Sequence, residues 1–498
     1  MTQNDDKNNK NGDNGSGEAP DVQDVLVESQ HSITIGGETI SYTVTTGTIV
    51  LKEEEEKEGK AEGEKPKATF FFVAYTRDDV ADPAERPITF SFNGGPGSSS
   101  VWLHLGVLGP RRVDEHDVQA PVRPPFRLVD NDHSLLDKTD LVFIDPVSTG
   151  FSRAVKGEKA KQFHGFKKDI ESVGDFIRLY VSRYRRWASP KFLIGESYGT
   201  TRAGGLSGYL QQRYGMYLNG IMLVSSILNF MTARFVPGND LPYILFLPTY
   251  AATAWYHRRL APALQEDLRK TLAEVEAFAL GEYTLALMQG DALPDETRTA
   301  VAEKLAGYTG LSVDYVERAN LRIGIHRFCK ELRRDERITV GRLDSRFTGV
   351  DRDAVGEHYE YDPSYAAILG PYAATFNDYV RRELNYESDL PYEILTARVH
   401  PWSFAENENS FLNVAETLRQ AMTMNPALKV HVDNGYFDLA TPYLATRYTF
   451  DHLGLPADLR ANVSMDFYEA GHMMYVHLPS LAALKANLAA FMDAALAG

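Results

Sequence analysis

The sequence predicts an α/β protein with a mostly parallel central sheet flanked by helices and interrupted by a long, mainly helical insertion. Six short apolar runs, ITFSF, DLVFID, KFLIG, NGIMLVSS, LKVHVD and NVSMDFYEA, have the pattern of strands buried on both faces. Helical stretches over 166–186 and 199–214 separate several of them, as crossover connections between parallel strands require. Between NGIMLVSS and LKVHVD lie about two hundred residues, far more than a loop spans in a folded domain.

Taken in order, residues 1–20 are Asn, Asp, Lys and Gly with almost nothing to bury, and are expected to be a disordered tail. SITIGGETISYTVTTGTIVL and KATFFFVAYTR are rich in β-branched and aromatic residues and read as strands. The charged run KEEEEKEGKAEGEKPK between them reads as a solvated hairpin loop, with an acidic partner-binding patch as the alternative. The buried-strand pattern starts near residue 87. A first core segment is expected over 21–230, a helical cap over 231–372 and a second core segment over 373–498. Leu264, Leu268, Leu272 and Val275 mark one buried helical face within the cap. No internal repeat is visible.

With 43% hydrophobic residues the 498-residue chain has material for a large core. A formal charge of −16 argues against nucleic-acid and anionic-membrane partners, which select basic surfaces. No apolar run approaches the roughly 18 residues of a membrane helix, and the N-terminal stretch lacks the apolar core of a signal peptide. The single cysteine, Cys329, rules out an intrachain disulfide. These features give the expectation of a cytoplasmic, soluble protein and leave its oligomeric state open.

The chemistry begins at LIGESYGTT, residues 193–201. GESYG fits G-x-S-x-G, a pattern that also arises by chance, so its surroundings matter. KFLI before it reads as a strand and TTRAGGLSGYLQQR after it as a helix, the context of a strained nucleophile elbow. Ser197 is the candidate nucleophile, against the alternative of a simple glycine-bounded turn. The helix start offers amides and a positive dipole to a developing anion.

A serine hydroxyl needs a base, and the base an orienting acid. His472, in YEAGHMMY, directly follows a predicted strand, whereas His257 and His326 fall in the helical insertion. Two acids follow LKVHVD: Asp433 at the strand end and Asp438 in the loop after it. Loop position favours Asp438. The order Ser197, Asp438, His472 is that of the α/β-hydrolase fold. FSFNGGPGSSS, residues 90–100, is the expected source of the second oxyanion amide, because its glycines let backbone approach a reacting carbonyl. A phosphate-binding loop is the rival reading, but the lysine of the P-loop pattern does not follow. No histidine spacing suggests a metal, and no cofactor is expected.

At these residues the chain resembles the serine carboxypeptidase family. NGGPGSSS is similar to its NGGPGCSS, FIDPVSTGFS to its ID-x-PVG-x-GFS segment, GESYG to its elbow and GHM to its histidine motif. The resemblance runs over about 87–230 and 425–480, with the helical insertion where the family carries its cap. It implies Ser197 as nucleophile, His472 as base, Asp438 as its partner, and the amides of Gly95 and Tyr198 as the oxyanion hole. It also implies that Asn93, Gly94 and Glu196 bind the terminal carboxylate of a peptide substrate. Three positions depart from the family pattern: Ser98 replaces its cysteine, Ser91 its tryptophan before NGGPG, and Val107 the glutamate two residues before GP. Paired carboxyls sharing a proton grip a carboxylate at acidic pH. With Val107 in that place, a weaker grip and an optimum nearer neutrality are expected.

The leading function is therefore a serine carboxypeptidase working through an acyl-enzyme. An esterase or acyltransferase on the same scaffold is the second reading, and a non-catalytic binding protein the third.

Overall fold

Residues 22–114, 118 and 123–497 are described by the computed structural model; the tail expected over 1–20 lies outside them. Nine strands form the main path of the sheet: β1 Val25–Ile35, β2 Glu38–Lys57, β3 Lys60–Arg77, β4 Ile88–Phe92, β5 Asp140–Ile144, β6 Lys191–Glu196, β7 Gly220–Val224, β8 Lys429–Gly435 and β9 Val463–Tyr468. Their spatial order is β1-β2-β3-β5-β4-β6-β7-β8-β9, and the short strand Arg153–Ala154 pairs with β3 beside that path. The first three strands are antiparallel to their neighbours, and β5-β4-β6-β7-β8-β9 are parallel throughout. All six apolar runs lie in this parallel portion. β4 to β7 are almost wholly buried, as strands covered on both faces must be.

The charged run is not a loop. β2 continues to Lys57 and β3 starts at Lys60, so its residues pair across a tight turn at Glu58–Gly59. Strand pairing and cross-strand bridges such as Lys65–Glu55 at 2.5 Å extend the hairpin into solvent, overriding the low strand propensity of Glu and Lys.

Helices cover both faces. β3 shows the alternation directly: Phe70, Phe72 and Ala74 point to one side and Phe71, Val73 and Tyr75 to the other. The first set packs under α1 (Phe166–Arg183) and α2 (Tyr198–Tyr214). The second packs under α6 (Pro363–Arg382) and α8 (Leu478–Leu496). Between them in sequence, the insertion carries α3 (Leu241–Tyr256), α4 (Leu268–Phe278) and α5 (Asp295–Thr309). It has a separate apolar cluster that includes Phe246, Tyr250, Val301 and Leu305. Leu268, Leu272 and Val275 form the buried face of α4, whereas Leu264 lies on a separate short helix, Pro262–Gln265.

The expected cap boundary at 372/373 falls inside α6, which runs through it uninterrupted. Ile368, Tyr372, Phe376 and Val380 of this helix join the sheet's cluster rather than the cap's, so α6 belongs to the core. Helical periodicity is the same in core and cap, which is why the pattern alone misplaces this edge. α7 (Ala415–Met424) then returns the chain to α2 and β8. Among the described residues, no helix is long and apolar enough to cross a membrane.

Candidate active site

Ser197 sits between β6 and α2 at φ +60° and ψ −128°, a conformation that costs about 1–3 kcal/mol for a residue with a side chain. The flanking glycines make the turn possible. A Cβ on Gly195 would lie 2.2 Å from the Gly199 carbonyl oxygen, and one on Gly199 would lie 2.6 Å from the Phe92 oxygen. These close approaches explain both glycines of GESYG in physical terms. The strained turn raises Ser197 out of the sheet into a cavity of about 500 Å³ that it shares with His472.

His472 is anchored through Nδ1. Its Nδ1 lies 2.7 Å from Asp438 Oδ2 in a buried contact. Asp438 also accepts from the amides of Ala440 and Thr441, at 2.7 and 3.0 Å, and from the Thr441 hydroxyl at 2.7 Å. Burial by itself would lower the proton affinity of His472; the charge and hydrogen bond of Asp438, then the charge of Glu196, outweigh it, and the net shift is upward. Asp433 does not contact His472. It accepts from the Tyr468 hydroxyl at 2.7 Å and faces His431 Nε2 at 3.3 Å. With Asp466 this forms a group whose ligand-type atoms all lie within 4.8 Å of one another. Its pairing is that of a histidine between carboxylates: burial opposes the His431 proton, while Asp433 and Asp466 raise its affinity above the usual value.

The backbone around the base comes from the end of the cap. The His472 amide donates to the Leu343 carbonyl at 2.7 Å, and the Leu439 amide to the Arg342 carbonyl at 3.0 Å. Ser345 donates its amide to Phe437 at 3.0 Å. Leu439 itself is fully buried in the cap's apolar cluster. The segment 342–345 thus clamps the loops that carry Asp438 and His472, a relationship that no local sequence pattern announces.

Next to the serine, the glycine loop and the elbow interlock. A Cβ on Gly94 would stand 2.4 Å from the Tyr198 nitrogen, so only glycine brings that loop against the helix start. The Tyr198 amide occupies the first helical position, where no intrahelical acceptor exists. Gly95 adopts φ +100°, which favours glycine. Arg202 on α2 is almost fully buried, donates from Nη1 to the Asn93 carbonyl at 2.6 Å and from Nε to Asp169 at 2.9 Å, and so pins the loop from beneath. Asp145, of FIDPVSTGFS, accepts the Ser100 amide at 2.8 Å and ties that motif to the same loop.

Glu196 is buried and its two oxygens have separate partners: Asn93 Nδ2 at 3.1 Å on Oε1 and the Tyr475 hydroxyl at 2.6 Å on Oε2. Desolvation pushes its carboxyl up to about 7, against the lowering effects of His472, Tyr475 and Asn93. Val107, at the position of the family's second glutamate, is buried in the π-helical turn His104–Leu108 and is absent from the cavity wall. Tyr475 fills the adjoining space; a Cβ on Gly106 would lie 2.4 Å from its ring. Ser91 is buried in β4 and also stays out of the cavity wall, whereas Ser98 lines it and accepts from the Trp102 indole at 2.9 Å. Tyr475, Arg202 and the 342–345 segment are the contributors that sequence reasoning missed. Only Tyr475 carried a local signal, as the polar-tipped aromatic three residues after His472.

The serine carboxypeptidase family model matches residues 59–478, from the end of the β2–β3 hairpin to the start of α8. The chain belongs to the serine carboxypeptidase family. Over 136 residues it is 33% identical to the pheromone-processing carboxypeptidase KEX1 of Saccharomyces cerevisiae, a match covering 26% of this chain and 17% of that protein. Over 139 residues it is 29% identical to carboxypeptidase Y homolog A of Arthroderma otae, covering 28% of this chain and 23% of that protein. These alignments span less than a quarter of the length of either relative. The crystal structure of the prohormone-processing carboxypeptidase KEX1(delta)p from S. cerevisiae is similar with a TM-score of 0.54 at 16% identity, over 91% of both chains, and shares the α/β-hydrolase fold.

Proposed function

We propose that this member of the family is a serine-type carboxypeptidase that releases the C-terminal residue of peptides through an acyl-enzyme. Ser197 attacks the scissile carbonyl while His472 takes its proton, and Asp438 holds the imidazole and balances its charge. The amides of Gly95 and Tyr198 receive the developing oxyanion. His472 then returns its proton to the leaving amine, and water attacks the acyl-enzyme with the same histidine as base.

The observation that carries the exopeptidase reading is the buried Asn93–Glu196–Tyr475 group immediately beside the nucleophile. A carboxyl raised to about 7 is largely neutral in mildly acidic solution and donates a proton toward a substrate carboxylate instead of repelling it. Asn93 and the Gly94 backbone complete the proposed carboxylate site. An unblocked peptide and its C-terminally amidated copy, incubated with the protein and read by mass spectrometry, test this directly. Stepwise loss of terminal residues from the free acid and slow or no cleavage of the amide are expected; equal cleavage of both favours the esterase or acyltransferase reading. A cytoplasmic location belongs to the same proposal, supported by the single, buried cysteine and checked by cell fractionation.

A further inference from the structure

The chain carries 68 acidic against 52 basic residues, yet its catalytic cavity has the opposite balance. Among the described residues, Glu196 is the only carboxylic acid on the cavity wall, and that wall presents two arginines, Arg234 and Arg342. Arg234 follows the 3-10 turn Phe230–Ala233 after β7, and its guanidinium lies over the Phe230 ring at 5.3 Å. Arg342 belongs to the cap segment whose next residue, Leu343, accepts the His472 amide.

Both guanidinium groups lack an ion-pair partner among the described residues, although the protein forms such pairs freely elsewhere. Asp362 accepts the backbone amides of Arg342 and Leu343, at 3.1 and 3.2 Å, together with the Ser364 hydroxyl, and makes no ion pair with either arginine. The two cations are also close enough to oppose each other: burial, then the charge of Arg342, lowers the proton affinity of Arg234. The field of Arg342 likewise reaches His472. Arg234 is exposed and Arg342 half-buried, so both keep water in the unliganded protein, and an anion placed between them gains from both positive charges at once. Planar guanidiniums match a carboxylate in both geometry and charge.

We propose that Arg234 and Arg342 form a second carboxylate-binding site, which selects peptides with an acidic side chain at one of the two residues flanking the scissile bond. This deepens the carboxypeptidase reading and rests on it. The substrate's terminal carboxylate occupies the Asn93–Gly94–Glu196 side, and the arginines receive an additional negative charge from Asp or Glu.

The test uses peptides that differ only as Glu against Gln, at the terminal position in one pair and the penultimate position in another, each with an amidated copy. For the full-length protein at neutral pH and low salt, kcat/KM is expected to favour Glu over Gln by about tenfold or more in one pair, the order that a charge-assisted contact supplies. That pair identifies which flanking side chain is read. The Glu/Gln ratio should fall towards one in Arg234→Gln and Arg342→Gln, and should shrink in 0.5 M salt. Equal turnover of Glu and Gln peptides overturns the inference while leaving the carboxypeptidase reading intact. It is also overturned if the arginine variants lower the free-acid over amide ratio without changing the Glu/Gln ratio, because the pair would then hold the terminal carboxylate. If no peptide is cleaved although Ser197 still reacts with a fluorophosphonate, the carboxypeptidase reading fails. Binding of the same peptides to Ser197→Ala then decides the inference separately, with about tenfold tighter Kd for Glu supporting it and equal Kd overturning it.

Discussion

Tyr475 donates its hydroxyl to Glu196 Oε2 at 2.6 Å, so a phenol occupies the side of this carboxyl where the family pattern leads one to expect a second acid. A phenol cannot share an acidic proton as a carboxyl does, and it stabilises the ionised form of Glu196. In Tyr475→Phe that donor is gone and desolvation is less opposed, so Glu196 should ionise at still higher pH. The alkaline limb of kcat/KM for free-acid peptides is expected to move upward by as much as about one pH unit, with activity at pH 6 reduced by about tenfold or less through poorer positioning. An unmoved alkaline limb would show that Glu196 does not control it.

Ser197→Ala and His472→Ala should each lower turnover by roughly 10^4-fold or more, since members of such a triad act as one unit. Asp438→Asn is expected to cost about 10^4-fold, because it disturbs the tautomer and charge balance of His472. Asp433→Asn should stay within about tenfold of the parent. Purified variants compared by active-site labelling and peptide turnover check this, and the opposite order for the two aspartates would reassign the third member.

The pH dependence follows from two opposed requirements. His472 must be neutral to accept the serine proton, and its affinity is raised above the usual value, so activity falls as pH drops below that raised value. Glu196 must be protonated to favour a substrate carboxylate, and it ionises near 7, so free-acid substrates lose affinity as pH rises through that range. The two groups interact, and the limbs therefore report the pair. Between pH 4 and 9, free-acid peptides should show a narrow bell near neutrality and amidated peptides only its acidic limb. A sharply acidic optimum for the free acids contradicts this arrangement.

Treatment with EDTA should leave kcat/KM unchanged. The grouped His431, Asp433 and Asp466 stand on β8 and β9 outside the cavity wall, with His431 Nε2 between the two carboxylates at 3.3 and 3.7 Å. Loss of turnover on chelation, restored by zinc, would give that group a metal and a role in activity.

The sequence by itself determined the parallel sheet, the elbow and the chain order of the candidate serine, aspartate and histidine. These follow from local signals: short apolar runs, a glycine-flanked serine between strand and helix, and a histidine directly after a strand. It also led to Asp438, since a loop residue beyond the strand reaches an imidazole that Asp433, inside β8, does not. Tertiary structure alone decided where the cap ends, because α6 has the same periodicity as a cap helix and is assigned only by what it packs against. It also decided how Glu196 is partnered, as Tyr475 lies 279 residues away in sequence and reaches it through space left by Gly106. The convergence of Arg234 and Arg342 on one cavity is of the same kind. Contacts between segments more than a hundred residues apart leave no period or spacing in the chain. Only the folded packing of those distant segments brings the side chains within each other's field.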